Sequence, residues 1–453
     1  MHVIIIGAGE VGGYLAQRLV AENIDVAVID TDPRVVARLG AELDIQGVVG
    51  TGSSIAVLKE AGVERATLVA AVTPSDEVNL IASLLSKENS VETTIVRVEN
   101  EALRTTDCKK LLAAVGADIV IDPDAETAKE ILELVHTTGV DEVYPMANGE
   151  LSLIGAVLPD GAPLANHGLG EIGQHLGEDR NFMFGAITRD DITMIPDGDH
   201  ILLPGDHVRV LCKKRAQPEL LKLLGVSGSR ARRVMILGGG KIGAHLAESL
   251  EDEGVQVTII EKEAERAAEL SNKFFHTMVI QGDITNTKLL REESIGTVDA
   301  VVGASGEDSA NVLACAFATG EGAPFTVAVL HSLTLLPLVK RFGIDAALSP
   351  RTSSANAVLN ILRGGATSVT TFLESDSEVD EILIAAESKA DGAQISELEL
   401  PDGLIIGAVI RPEQPAMIAR GSTTLEAFDR IVVFGSAAAM SAAKSLFHHE
   451  STR

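Results

Sequence analysis

"VIIIGAGEVGGYLAQRLVAENIDVAVIDTD" runs from Val3 to Asp32, and "VMILGGGKIGAHLAESLEDEGVQVTIIEKE" runs from Val234 to Glu263. The second stretch repeats the first 231 positions later, placing Gly7, Gly9 and Gly12 on Gly238, Gly240 and Gly243, and Asp30 on Glu261. Each reads as an apolar strand, a G-x-G-x-x-G turn, an amphipathic helix and a second apolar strand ending in an acid. The glycine spacing alone is a weak signal. Set directly after a strand and opening a helix, with the acid 18 residues beyond the last glycine, it is a strong one for a dinucleotide cradle.

The reason is steric and electrostatic. Gly7 permits the tight strand-to-helix turn, Gly9 lets a pyrophosphate approach the backbone, and Gly12 lets helix and strand pack closely. Ala8, Glu10 and Val11 fill the positions between. The free N–H groups at the helix start, with roughly half a positive charge, favour phosphate. Asp30 is expected to accept hydrogen bonds from ribose hydroxyls and to repel a 2′-phosphate, so NAD(H) is preferred to NADP(H). Gly238, Gly239, Gly240, Lys241, Ile242, Gly243 and Glu261 take the same roles in the second copy. The bland alternative is a glycine-tightened turn that holds no ligand.

Working outward, the repeat continues. Gly50 answers Gly282, Thr73 answers Ser305, Asp76 answers Asp308 and Asn79 answers Asn311, one place off the first register. "VGADIVIDP" (Val115–Pro123) answers "FGIDAALSP" (Phe342–Pro350). Strand and helix patterns alternate through residues 1–135 and again through 232–365, which implies right-handed crossovers and a parallel sheet. Residues 141–216 and 368–450 instead carry short strands broken by Pro and Gly turns, such as "ELSLIGAVL", "FMFGAITR" and "DHVRVLCK". The expected fold is α/β: two tandem Rossmann-like, doubly wound parallel-sheet domains, each followed by a small α+β module. A joint over 217–231 contains a short helix, "AQPELLKLLG", and a basic stretch, "VSGSRARR", whose charges either meet a partner or are solvated.

Polar groups recur at later strand ends, where doubly wound sheets bind ligands. They are Thr51, Gly52, Thr73, Pro74, Asp76 and Asn79 in the first copy, and Gly282, Asp283, Ser305, Asp308 and Asn311 in the second. They either frame adenine and ribose or serve as turn and cap residues. Arg97 ends a buried strand and needs an anion: a nucleotide phosphate, or Asp76, Glu77 or Glu99. Its counterpart is Val329, so the two pockets differ chemically.

Composition excludes other classes. With 65 acids against 37 bases, the net charge of −28 repels nucleic acid and anionic lipid. Cys108, Cys212 and Cys315 have no metal or redox spacing and read as reduced thiols of a cytoplasmic protein. No run reaches the roughly 18 apolar residues of a membrane span, and the start lacks signal-peptide features. Nor is there a catalytic apparatus. His136, His167, His175, His200 and His207 have no matches in the second module, and His448 and His449 sit in the tail. No metal spacing, nucleophile elbow or P-loop lysine is present. Two cofactor cradles without catalytic groups describe a sensor. The rivals are an NAD-dependent oxidoreductase with an unrecognised substrate site and a redox-sensing repressor; the latter should show a basic face.

The order of fingerprint, strand-end acid, "GTGSS"/"GDITN", "TPSDEVN" and "GADIVIDP", then a small module, all duplicated, resembles the TrkA family of regulatory components of Trk-type potassium uptake. The resemblance implies two RCK (KTN) domains, each with its TrkA-C module. It implies NAD(H), ATP or ADP in the Rossmann-like domains, self-association into a ring (a homotetramer), and docking on the cytoplasmic side of a TrkH/TrkG-type membrane subunit. The family's Gly-Asp pair is kept at Gly282–Asp283 but replaced at Gly50–Thr51, so the two pockets are expected to rank nucleotides differently.

Overall fold

The computed structural model describes residues 1–21, 24–105, 108–175, 181–190, 192–226, 228–362, 370–371 and 377–447. By packing, the chain forms two compact units, Met1–Thr127 with Ser349–Arg363, and Ala128–Leu348 with Gly364–Arg453.

The first unit is built on six strands: β1 (His2–Ile6), β2 (Asp25–Asp30), β3 (Gln46–Val49), β4 (Leu68–Ala71), β5 (Thr93–Arg97) and β6 (Ile119–Ile121). Helices α1 (Glu10–Ala21), α2 (Pro33–Glu42), α3 (Ile55–Glu60), α4 (Asp76–Glu88) and α5 (Lys109–Ala114) alternate with them, and α6 (Pro123–His136) follows. The strands pair in parallel in the order β3-β2-β1-β4-β5-β6. Burial on both faces explains why β1, "HVIII", shows no polar alternation.

Two small antiparallel sheets and a second parallel sheet make up the second unit. Strands β7 (Glu142–Met146), β8 (Leu151–Val157), β9 (Phe182–Arg189), β10 (Ile192–Met194) and β11 (His207–Lys213) join helices α7 (Leu169–His175) and α8 (Gln217–Leu224). The sheet order is β10-β9-β11-β8-β7. Leu220, Leu221 and Leu224 of α8 are buried, so the joint begins as packed structure. Two of the joint's bases find carboxylates within the chain: Arg230 pairs with Glu253, and Arg233 lies 3.7 Å from Asp299.

The second parallel sheet comprises β12 (Arg233–Leu237), β13 (Gln256–Glu261), β14 (Met278–Gln281), β15 (Ala300–Gly303), β16 (Thr326–Val329) and β17 (Ala346–Leu348), ordered β14-β13-β12-β15-β16-β17. Its helices are α9 (Lys241–Asp252), α10 (Ala264–Lys273), α11 (Thr287–Glu292), α12 (Asp308–Gly320) and α13 (Leu336–Val339). Next comes α14 (Pro350–Leu362), which belongs to the first unit. The last module has β18 (Thr370–Thr371), β19 (Ser377–Leu383), β20 (Leu404–Ile410), β21 (Met417–Ile418), β22 (Arg430–Ser436) and α15 (Ala437–Phe447). Most of the strand read over "VTTFLESD" falls outside the described residues.

One feature of the connectivity does not follow from the repeat. Ala357 and Val358 of α14 share a core with Val3, Val11, Leu15 and Leu19, so the helix that closes the second repeat packs on α1 of the first. In turn, Ala128, Ile131, Leu134 and Val135 of α6 share a core with Val234, Ile236 and Leu246 of the second repeat. The repeats exchange their closing helices. Cutting the chain between them would strip each parallel sheet of one cover.

The two small modules also share a core, in which Phe434 meets Leu153 and Leu211. The fit is close: a Cβ at Gly185 would lie 2.2 Å from the Phe434 ring. Hydrogen bonds cross between the modules, among them Ala147 N to Glu381 Oε1 at 2.8 Å and Ala416 N to Glu150 Oε2 at 2.7 Å. Inside the first module Arg209, 1% exposed, forms a bidentate pair with Glu142 at 2.8 and 2.7 Å.

Candidate functional site

The two glycine turns repeat in geometry as well as in sequence. Gly7 has φ +100° and Gly238 φ +117°, values that L side chains rarely adopt. Their amides donate to Ile29 and Ile260, tying each turn to the neighbouring strand. A Cβ at Gly12 would lie 1.8 Å from the Gly7 carbonyl oxygen, and one at Gly243 would lie 2.1 Å from that of Gly238. These glycines are required by packing. Gly9 is different: a Cβ there would meet nothing within 4 Å, and one at Gly240 only the Ala304 carbonyl at 3.9 Å. Nothing in the fold itself demands glycine at these two positions. The open space beside them is the room a close-approaching pyrophosphate needs.

The strand-end acids brace the turns. Asp30 accepts from Ala8 N at 2.7 Å and Asp32 N at 2.9 Å, and Glu261 accepts from Gly239 N and Glu263 N, both at 2.8 Å. Each carboxylate oxygen retains a further lone pair for a ribose hydroxyl. At the neighbouring loops, side chains bond the turns and strand ends around them. Asn79, fully buried, accepts from Thr73 N and Oγ1 and donates to Thr73 O and Arg97 O. Asn311 does the same with Ser305 and Val329 O. Asp76 accepts from the amides of Glu99 and Asn100, and Asp308 from those of His331 and Ser332. Asn79 and Asn311 therefore each pin together the ends of two adjacent strands. Pro74 follows Thr73 in this pinned loop.

The pockets diverge in charge. Thr51 bonds Ser53 Oγ at 2.8 Å and is neutral. Its counterpart Asp283 is held down to about 2 by the amide and hydroxyl of Thr285 and by Lys262, so it stays anionic at any physiological pH. Gly52 and Gly282 leave room for Ile6 and Leu289. Sequence reading missed Arg266, whose Nε donates to Gly239 O at 2.9 Å and puts a cation beside the second turn. Its position in the first copy is Val35, so comparison of the repeats could have flagged it.

Arg97 pairs with Glu99, one of its candidate partners, yet its Nε is buried without an acceptor. An orphaned guanidinium donor at a strand end fits an anionic ligand. With the open space at Gly9, this donor gives the first turn residues that fit a nucleotide. His136, His167, His200 and His207 pair with Glu253, Glu171, Asp197 and Asp141. The side chain of His175, and His448 and His449, lie outside the described residues. Cys212 and Cys315 are buried thiols pushed up to about 12 by burial. Among the described residues no His, Cys, Asp or Glu cluster could hold a metal, and no helix is long and apolar enough to cross a membrane.

Comparison with known proteins adds to this. The TrkA-N domain model matches residues 3–123 and 234–350, and the TrkA-C domain model matches 153–225 and 379–448. A Trk system potassium uptake protein TrkA homolog of Archaeoglobus fulgidus is 33% identical over 96% of this chain and 97% of its own. The Trk system potassium uptake protein TrkA of Halomonas elongata is 32% identical over 96% and 95%. Among solved structures, the GsuK RCK domain superposes with a TM-score of 0.60 at 20% identity, covering 98% of this chain and 94% of that one. The GsuK channel bound to NAD gives 0.60 at 19%, covering 98% and 78%. These structural likenesses establish the fold.

Proposed function

Because the chain belongs to the TrkA family of Trk potassium uptake proteins, we propose that it is the cytoplasmic nucleotide-sensing regulatory subunit of such a system, peripheral to the membrane. NAD(H), ATP or ADP occupies the cradles at Gly7–Gly12 and Gly238–Gly243, with Asp30 and Glu261 on the ribose. Occupancy favours one arrangement of the lobes, and a ring of subunits, a homotetramer, transmits it to a TrkH/TrkG-type membrane subunit. The observation that carries this reading is the pair of cradles whose middle glycines, Gly9 and Gly240, face open space. In support, a GsuK channel of the same fold has been solved with NAD and another with ADP.

A ligand moves such an equilibrium only by its differential affinity for the two states. One site supplies about 1–3 kcal/mol of coupling. Reversing a gate from closed to open needs about 5.5 kcal/mol, so several sites in a ring must act together. The test is potassium flux through the membrane subunit in vesicles, with this protein and either NADH or ATP added. Flux should respond to at least one nucleotide, and Asp30→Ala with Glu261→Ala should abolish the response. Flux indifferent to both nucleotides would reject the reading.

A second expectation concerns ranking. The fixed charge of Asp283 raises the cost of an extra phosphate in the second pocket, whereas neutral Thr51 does not. Thr51→Asp in the full chain should weaken ATP several-fold relative to NADH at one of the two sites seen by calorimetry. An unchanged ATP-to-NADH ratio at both sites would count against it.

A further inference from the structure

The first glycine turn presents an electrostatic problem. Its fourth position, the first residue of α1, is Glu10; the same position of the second turn is Lys241. A carboxylate at the start of a helix suits the helix dipole, but it competes with a phosphate for the same N–H groups and repels it. The second turn needs no help, since it has Lys241 itself and Arg266 beside it. The first has no cation of its own within the fingerprint.

The cation is supplied from 341 residues away. Arg351, in the first turn of α14, donates from Nη2 to Glu10 Oε1. The contact is set by packing: Thr352, Ser353, Ser354 and Ala355 are buried, and Ala357 and Val358 sit in one core with Val11 and Leu15. Arg351 Nε is also buried and has no acceptor. A guanidinium offers five donors in a planar fork that matches phosphate oxygens. Here part of the fork neutralises Glu10, and another donor is left buried without a partner. We propose that Arg351 is a phosphate-binding residue of the first pocket, cancelling Glu10 and gripping the phosphate groups of the bound adenine nucleotide. Because α14 closes the second repeat, ligand in the first pocket then holds on to a helix delivered by the other half of the chain. This rests on the reading of the first pocket as a nucleotide site.

Calorimetric titration of the full chain with ADP, ATP and adenosine tests it, with Asp30→Ala marking the first pocket. Arg351→Ala should weaken ADP and ATP about 10- to 100-fold at the site that Asp30→Ala also weakens. Adenosine, lacking phosphate, should bind unchanged, and Arg351→Lys should recover part of the loss by restoring charge without the fork. Unchanged ADP and ATP affinity in Arg351→Ala, alongside a loss in Asp30→Ala, would overturn the proposal. So would an equal loss for adenosine, which would mark a packing role. If neither substitution alters binding of any of the three, the first pocket is not a nucleotide site and both readings fall. Should Arg351→Ala not fold, Glu10→Gln carries the test: removing the repelling acid should strengthen ATP about threefold or more, and no gain would overturn the proposal.

Discussion

Gly12→Val is expected to abolish folding of the first unit, while Gly9→Val, three residues away, is expected to leave it intact and remove nucleotide binding. A Cβ at position 12 would stand 1.8 Å from the Gly7 carbonyl oxygen, with Ile5 at 3.1 Å. The obstacle is backbone, held by the hydrogen bond from Gly7 N to Ile29 O, so the clash cannot be relieved by a rotamer change. The cost should exceed about 3 kcal/mol, the upper end of ordinary overpacking. At position 9 a Cβ meets nothing within 4 Å, and its φ is not in the left-handed region. Stability should change there by no more than about 1 kcal/mol. The valine side chain fills the approach to the helix N-terminus, however. Losing one or two charge-assisted hydrogen bonds weakens a nucleotide about 10- to 100-fold or more. Thermal melting and calorimetry on the two variants separate these outcomes. A stable Gly12→Val, or a Gly9→Val that binds normally, would contradict the assignment of roles.

The second large effect lies away from the pockets. Arg209→Met should destabilise the second unit by about 3–5 kcal/mol, because it leaves the Glu142 carboxylate without its bidentate partner beside Asp141. Space for that carboxylate is provided by Gly155, where a Cβ would stand 2.6 Å from Glu142 Oε2. The companion double variant, Arg209→Met with Glu142→Leu, should regain most of the loss, since a buried ion pair and a packed apolar pair of similar size differ little in net stability. Denaturant unfolding of the two variants decides it. If the double variant is no more stable than the single one, the pair contributes through geometry that apolar side chains cannot replace.

Much of this molecule was legible before any coordinates. Glycine spacing, strand-end acids and unbroken apolar runs act over a few residues, so the parallel sheets and the two turns could be read directly. The small modules were legible as short strands between Pro and Gly, although β7, "EVYPM", with its interior proline and buried Arg209 partner, gave little sign of itself. Arg97 was recognised as needing an anion, but its choice of Glu99 with Nε left over is a matter of side-chain geometry. The roles of Asn79 and Asn311 were equally open. A buried amide at that position either faces a ligand or clamps two loops, and only its four hydrogen bonds decide.

By itself the sequence determined the local chemistry: which turns are tight, where an acid ends a strand, which of the two loops keeps its aspartate, and that everything occurs twice. Tertiary structure alone decided which helix covers which sheet. An apolar stripe on α6 or α14 demands burial but does not name the surface that provides it, since burial is non-directional and the two repeats offer similar faces. The exchange of those helices is what brings Arg351 to Glu10, a meeting that no spacing within one repeat could have announced.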